Sequence, residues 1–118
     1  MTRMRLERDC LGEMEIPDEH YYGIQTHRMV KVSGAAGYPV IAYPDMHRAL
    51  FQIKKACAKA NAEIGAMDQA VADAIVKACD RLLTEDFSAE FPLDMWQGGG
   101  YTCVNMNVNE VIGNMANE

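Results

Sequence analysis

The residues best placed to do chemistry lie near the end of the chain, in Gln97-Gly-Gly-Gly-Tyr-Thr-Cys-Val-Asn-Met-Asn107. Three glycines remove side chains and let a backbone approach a ligand closely. A helix starting near Thr102 or Cys103 offers N–H groups without intrahelical acceptors, and with them a partial positive charge. Thr102 adds a hydroxyl donor at that mouth. Such a site suits a carboxylate or a phosphate. The same pattern also describes a flexible turn before a capped helix, and from spacing alone both readings stand.

Two bases could serve the same anion. Arg28 can grip a carboxylate through two parallel hydrogen bonds. Lys54 follows Ile53 at the margin of an apolar helical stripe, with Lys55 further out. For each, an ordinary surface cation is the competing reading. Asn105, Asn107, Asn109, Asn114 and Asn117 crowd one stretch although Asn is a poor helix former. Amides on a helix that enters a bundle can bond neighbours or substrate; a solvated polar face is the alternative for most of them. His20, His27 and His47 have no Ser, Cys or carboxylate partner at a suggestive spacing, so none is assigned as general base. Cys10, Cys57, Cys79 and Cys103 form no Cys-x-x-Cys pair, and no His stands at zinc-ligand spacing from them. They read as reduced thiols, and no metal ligand set is expected. Asp94, before the glycines, is a candidate structural cap.

Helices must position these groups. Pro17, Gly23, Gly34, Gly37, Pro39 and Pro44 punctuate residues 1–44, which predicts an irregular arm of turns and short extended pieces. Tyr21, Tyr22, Tyr38 and Tyr43 are expected to pin it against helices. Asp45 is a candidate N-cap for a helix whose stripe is Met46, Ala49, Leu50, Ile53, Cys57, Ala60 and Ile64. Gly65 can end that helix in the left-handed conformation. A second helix follows from about Gln69 to Leu83, with Asp68 as its cap and Val71, Ala74, Ile75, Ala78 and Leu82 as its stripe. The two form an antiparallel hairpin over 45–83. Residues 84–101 return to loop, where Phe87, Phe91, Leu93, Met95 and Trp96 are apolar enough to be buried. A third helix opens over 102–118, lined by Val104, Val108, Val111, Ile112 and Met115. The predicted class is mainly α.

Composition sets limits. The 118 residues suit one domain. With 17 acids against 11 bases the net charge is -6, which argues against a nucleic-acid partner but not against a small anionic substrate. No run of about 18 apolar residues is present, so no membrane partner is expected. Met1 to Arg8 is charged and lacks an apolar core, so no secretory signal is visible and a cytoplasmic location is expected.

Three stretches together resemble the N-terminal region of aspartate ammonia-lyase, in the fumarase/aspartase superfamily. The first is Arg5-Leu-Glu-Arg-Asp-Cys-Leu-Gly-Glu-Met-Glu-Ile-Pro17 with Tyr21-Tyr-Gly-Ile-Gln-Thr-His-Arg28. The second is Ile53-Lys-Lys-Ala56 with Ala60-Asn61. The third is Phe91-Pro-Leu-Asp-Met-Trp-Gln-Gly-Gly99, then Thr102 and Asn105-Met-Asn-Val-Asn-Glu-Val111. They run in order over nearly the whole chain. Class II fumarate hydratase is similar over the same region, but favours Tyr-Trp-Gly at residues 21–23 and Gln-Thr-Gly-Ser-Gly-Thr at 97–102. A non-catalytic helical assembly module is the rival of another class.

The resemblance implies a reaction: reversible loss of ammonia from L-aspartate to give fumarate. The Cβ proton leaves first, producing an aci-carboxylate dianion that donors must stabilise. The family threonine that matches Thr102 helps bind the substrate carboxylate. Arg28 and Lys54 match basic residues whose replacement impairs family members, and with Asn105 they are the further substrate-binding candidates. The family base is a serine in a Gly-Ser-Ser loop expected beyond Glu118, as are its Ser-Thr-Asn and Thr-His segments. The family site draws on three subunits of a tetramer, so the isolated chain is expected to be inactive and the complete enzyme a homotetramer. No cofactor is expected in this segment; a divalent cation such as magnesium is compatible with the complete enzyme. Three departures stand out. Gly100-Tyr101 replaces a small residue and Gly, Cys103 replaces a serine, and Met14 stands where some aspartases have an arginine.

Overall fold

The computed structural model describes residues 2–97 and 100–118; the expectations for Gly98 and Gly99 lie outside them. The described residues form a mainly helical fold with four α-helices and a two-stranded sheet. The N-terminal arm is more regular than its punctuators suggest. β1 (Met4–Asp9) pairs antiparallel with β2 (Gly12–Pro17), with Arg5 opposite Ile16 and Asp9 opposite Gly12. Helix α1 follows at Ile24–Val32.

The strands are hard to see in sequence because their pattern is inverted. Met4 and Leu6 point to solvent, while Arg5, Glu7 and Asp9 face inward. The inward arginine is satisfied by backbone: its guanidinium donates to the carbonyls of Pro17, His20 and Tyr22 at 3.1, 2.7 and 2.7 Å. The short α1 has no local side-chain cap. Its first turn is held instead by a carboxylate of the last helix. Glu110 accepts the N–H groups of Gly23, Gln25 and Thr26 at 3.1, 2.8 and 3.1 Å, and Glu7 accepts that of Ile24 at 2.8 Å. Negative charge there also complements the helix dipole.

The helical hairpin is α2 (Pro44–Glu63) and α3 (Gln69–Thr84). Arg48 reaches the Leu83 carbonyl and Lys55 pairs with Asp80, so the two run antiparallel. Pro44 occupies the first helical position, where a missing N–H costs nothing. Asp45 therefore lies in the first turn and Tyr43 is the cap, a correction to the cap expected at Asp45. Asp68 does cap α3 by position, but its side chain makes no capping bond. Gly65 ends α2 with φ +74.

The α2 stripe is also displaced. His47, Phe51 and Ala58 are buried, whereas Ile53 and Ile64 are 52% and 77% exposed. Aromatic size decides this: Phe51, His47 and Phe91 pack as one cluster, with ring centroids 4.9–6.3 Å apart. In the loop, Phe91 and Leu93 are buried as expected, but Trp96 is 70% exposed. Tyr22 is buried in the core, while Tyr38 and Tyr43 lie out in solvent.

Helix α4 (Thr102–Ala116) begins where expected and is the centre of the fold. Val108, Val111, Ile112 and Met115 pack against Ile16, Tyr22, Ile24, Phe51, Ala78, Cys79 and Leu82. Val104 joins Val40 and Leu93 in a second cluster. Two asparagines are structural rather than solvated: Asn107 donates to the Glu90 carbonyl at 2.9 Å and Asn114 to that of Tyr21 at 2.7 Å.

Candidate anion-binding site

Three elements meet around a cavity of about 380 Å3. The end of β1 and the turn after it supply Asp9, Cys10 and Leu11. Helix α1 supplies Gln25, Arg28, Met29 and Val32, whose spacing of three, four and seven residues puts them on one helical face. The first turn of α4 supplies Thr102, Cys103 and Met106. The carboxylate of Glu110 sets the geometry, because it fixes the start of α1 onto α4.

Thr102 is the first residue of α4. The first bond inside that helix runs from Asn105 N to Tyr101 O at 3.1 Å, so the N–H groups of Cys103 and Val104 lie in its first turn, without acceptors inside the helix. Tyr101 precedes them with φ 64 and ψ 20, a left-handed conformation that glycine adopts freely and tyrosine does not. It is the single non-glycine residue at positive φ among the described residues.

Arg28 donates from Nη2 to Asp9 Oδ1 at 2.8 Å. Its Nε is buried without an acceptor among the described residues. Asp9 also accepts the Leu11 N–H at 2.8 Å. Burial would raise the Asp9 carboxyl, but the Leu11 N–H, the Arg28 guanidinium and the Gly12 N–H outweigh it and hold the group below the usual carboxylate range. Asp9 thus stays ionised and orients Arg28, while the guanidinium Nε has no acceptor among the described residues.

The structure brings Thr102 and Arg28 to one cavity and leaves the other two candidates elsewhere. Lys54 lines a different cleft, between α2, α3 and α4. Asn105 is half-buried on α4 and lines neither space. Sequence reasoning missed Asp9, whose position two residues before Leu11 and beside a strand end was the available signal. It also missed Glu7, Glu90 and Glu110, whose partners are far away in the chain. Glu90 accepts the N–H groups of Tyr21 and Tyr22 at 2.7 and 3.2 Å and contacts His20 Nδ1 at 3.2 Å. Asp94 accepts Ala36, Gly37 and Trp96 N–H groups at 3.2, 2.9 and 2.7 Å, which makes it a cap for the loop that leads to Thr102. Among the described residues no three His, Cys, Asp or Glu side chains gather as a metal site, and the cysteines are free. No described helix is long and apolar enough to cross a membrane.

Thr102, at the start of α4, and Arg28, on α1, thus line one cavity, and comparison with known proteins shows the family to which this fold belongs. The family model described as Lyase matches residues 12–118, and the chain belongs to that family, within the fumarase/aspartase superfamily. It is 46% identical to the aspartate ammonia-lyase of Pseudomonas canavaninivorans over 97% of its own length and 24% of that protein. It is 45% identical to the aspartate ammonia-lyase of Helicobacter pylori strain J99, over 98% of this chain and 25% of that one. A class II fumarate hydratase of Bordetella parapertussis is 39% identical, over 98% of this chain and 25% of the relative. Among solved structures, a fumarate lyase:delta crystallin from Brucella melitensis superposes with a TM-score of 0.93 at 40% identity, over 98% of this chain and 27% of that one. The chain thus spans about a quarter of the length of the curated relatives it matches.

Proposed function

We propose that this chain supplies the substrate-carboxylate cradle of an aspartate ammonia-lyase, the enzyme that converts L-aspartate to fumarate and ammonia. The observation that carries the reading is the shared cavity of Thr102 and Arg28 at the start of α4. As the Cβ proton leaves, charge builds on the adjacent carboxylate. A hydroxyl, a guanidinium and a helix N-terminus aimed at that carboxylate stabilise the dianion more than the ground state. Lys54 and Asn105 have no part in this cradle.

Asp9 is poorly suited to be the base. Its lowered pKa and its bonds to Arg28 and Leu11 make it a weak acceptor for a carbon-bound proton. The base is the family serine, supplied beyond Glu118, and the complete enzyme is a cytoplasmic homotetramer in which neighbouring subunits complete the site. The 118-residue chain alone then forms no fumarate.

The match to a class II fumarate hydratase favours a second reading, with L-malate as substrate. Assaying the complete enzyme with both substrates decides between them. Fumarate from L-aspartate and not from L-malate supports the ammonia-lyase; the reverse result moves the cradle to a hydratase.

A further inference from the structure

We propose that the cleft around Lys54, between α2, α3 and α4, is a second binding site, for a small organic carboxylate. It is separate from the Thr102–Arg28 cavity and does not rest on the ammonia-lyase reading. The cleft measures about 250 Å3. Its polar lining is one cation, Lys54, two amides, Asn61 and Asn109, and the Cys57 thiol, with no Asp or Glu among the lining residues. Ile75 and Ile112 line its apolar side.

Each polar group lacks what a carboxylate would give. Among the described residues neither the Lys54 ammonium nor the Asn61 side chain has a hydrogen-bonding partner. The next residue behaves differently: Lys55 is paired with Asp80. Asn109 Nδ2 meets only the Met106 sulfur, at 3.8 Å, a weak acceptor. A half-buried ammonium without a counter-charge is costly, and a carboxylate supplies that charge while the two amides add donors. The apolar side accommodates a short hydrocarbon body. The volume lies below the roughly 300–1,000 Å3 of sites for larger ligands, which selects small acids over nucleotides.

Gly113 is an independent pointer. It sits inside α4, where glycine costs roughly 0.5–1 kcal/mol relative to alanine. Its φ is not positive, and a Cβ built there would meet nothing within 4 Å. Neither backbone conformation nor packing within the chain therefore requires glycine. Its bare edge keeps the cleft open.

The test is titration of the isotopically labelled complete protein with succinate, reading amide resonances, with uncharged succinamide as control. Saturable shifts at residues 54, 61, 109 and 113 with succinate, and none with succinamide, are expected. Lys54→Gln should weaken binding at least roughly tenfold, equivalent to losing about 1.4 kcal/mol, and Lys59→Gln, on the exposed side of the same helix and outside the cleft lining, should leave it unchanged. Gly113→Leu should fold normally and block the cleft. Absence of saturable shifts, equal response to succinamide, wild-type affinity in Lys54→Gln, or shifts confined to residues 28 and 102 would each overturn the proposal. The ammonia-lyase reading fails on different grounds, by the substrate assay of the complete enzyme.

Discussion

Thr26 Oγ1 donates to Glu110 Oε2 at 2.5 Å, across 84 residues of chain. The same carboxylate also takes the N–H groups of Gly23, Gln25 and Thr26. One side chain of α4 thus does for α1 what a local Ser or Asp does for most helices. Without it the nine residues of α1 would be too few to hold a helix unaided.

Glu110→Gln keeps the shape and removes the charge, so it should lower the unfolding free energy by about 1–3 kcal/mol. Urea unfolding measures this as a lower midpoint with little change in slope. Gly23→Ala should act in the same direction, because a Cβ there would lie 2.8 Å from the Glu110 carboxylate. A wild-type midpoint for Glu110→Gln would show that water replaces these bonds without loss.

The parts of the fold legible in the sequence are those whose signals are local. The hairpin of α2 and α3 shows as helical periodicity with Gly65 between, and α4 shows as Thr102 after a glycine run. The arm was not legible, because its order comes from Glu7, Glu90, Glu110 and Asp94 gathering backbone N–H groups from distant segments. A carboxylate that caps a helix 84 residues away leaves no spacing to read. The α2 stripe differs from its sequence periodicity because Phe51 and His47, not the regularly spaced alanines and isoleucines, carry the packing. At the candidate site, the family resemblance singles out Thr102 and Arg28, and the structure sets both along one cavity. The detachment of Lys54 was not, since the margin of a helical stripe does not say which neighbour the helix meets.

His47 gives the fold an acid-sensitive point. It is 2% exposed, its Nδ1 lacks a partner among the described residues, and burial lowers its pKa from 6.5 to about 4. The unfolded chain then binds more protons between those two values, so stability falls as pH drops from about 6.5 towards 4. A shift of that size corresponds to roughly 3 kcal/mol over the window. His47→Leu should flatten this slope, and should stabilise the fold at neutral pH by about 1 kcal/mol through removal of the unsatisfied nitrogen. Urea midpoints at pH 7 and pH 5 test both; an equal pH slope in the two proteins would assign the acid sensitivity to other groups.

Thr102→Val keeps shape and removes the hydroxyl. In the complete enzyme kcat/KM for aspartate should fall, by less than the roughly 2.7–4 kcal/mol lost with the strongest oxyanion donors, because Arg28 and the helix start share the load. Thermal stability serves as the control and should change little. A normally folded variant with wild-type kcat/KM would make Thr102 a structural helix start only.

Tyr101 holds a backbone conformation that favours glycine, with φ 64, immediately before Thr102. Left-handed backbone costs a non-glycine residue roughly 1–2 kcal/mol, and the tyrosine recovers little by burial, since it is 44% exposed with its hydroxyl 3.9 Å from the Met95 sulfur. Tyr101→Gly should therefore stabilise the fold by up to about 1 kcal/mol, the relief of strain being offset in part by the greater freedom of glycine in the unfolded chain. Tyr101→Ala separates backbone from side chain: it removes the phenol and keeps the strain, so it should be less stable than Tyr101→Gly by about 1 kcal/mol. The same pair resolves the effect on substrate. If the phenol crowds the carboxylate, KM for aspartate in the complete enzyme falls in both variants. If strain at the helix start limits binding, KM falls in Tyr101→Gly alone. Unchanged or raised KM in both variants would give the phenol a place of its own in the cradle, beside Thr102, and would make this departure from the family pattern a determinant of which acid the enzyme accepts.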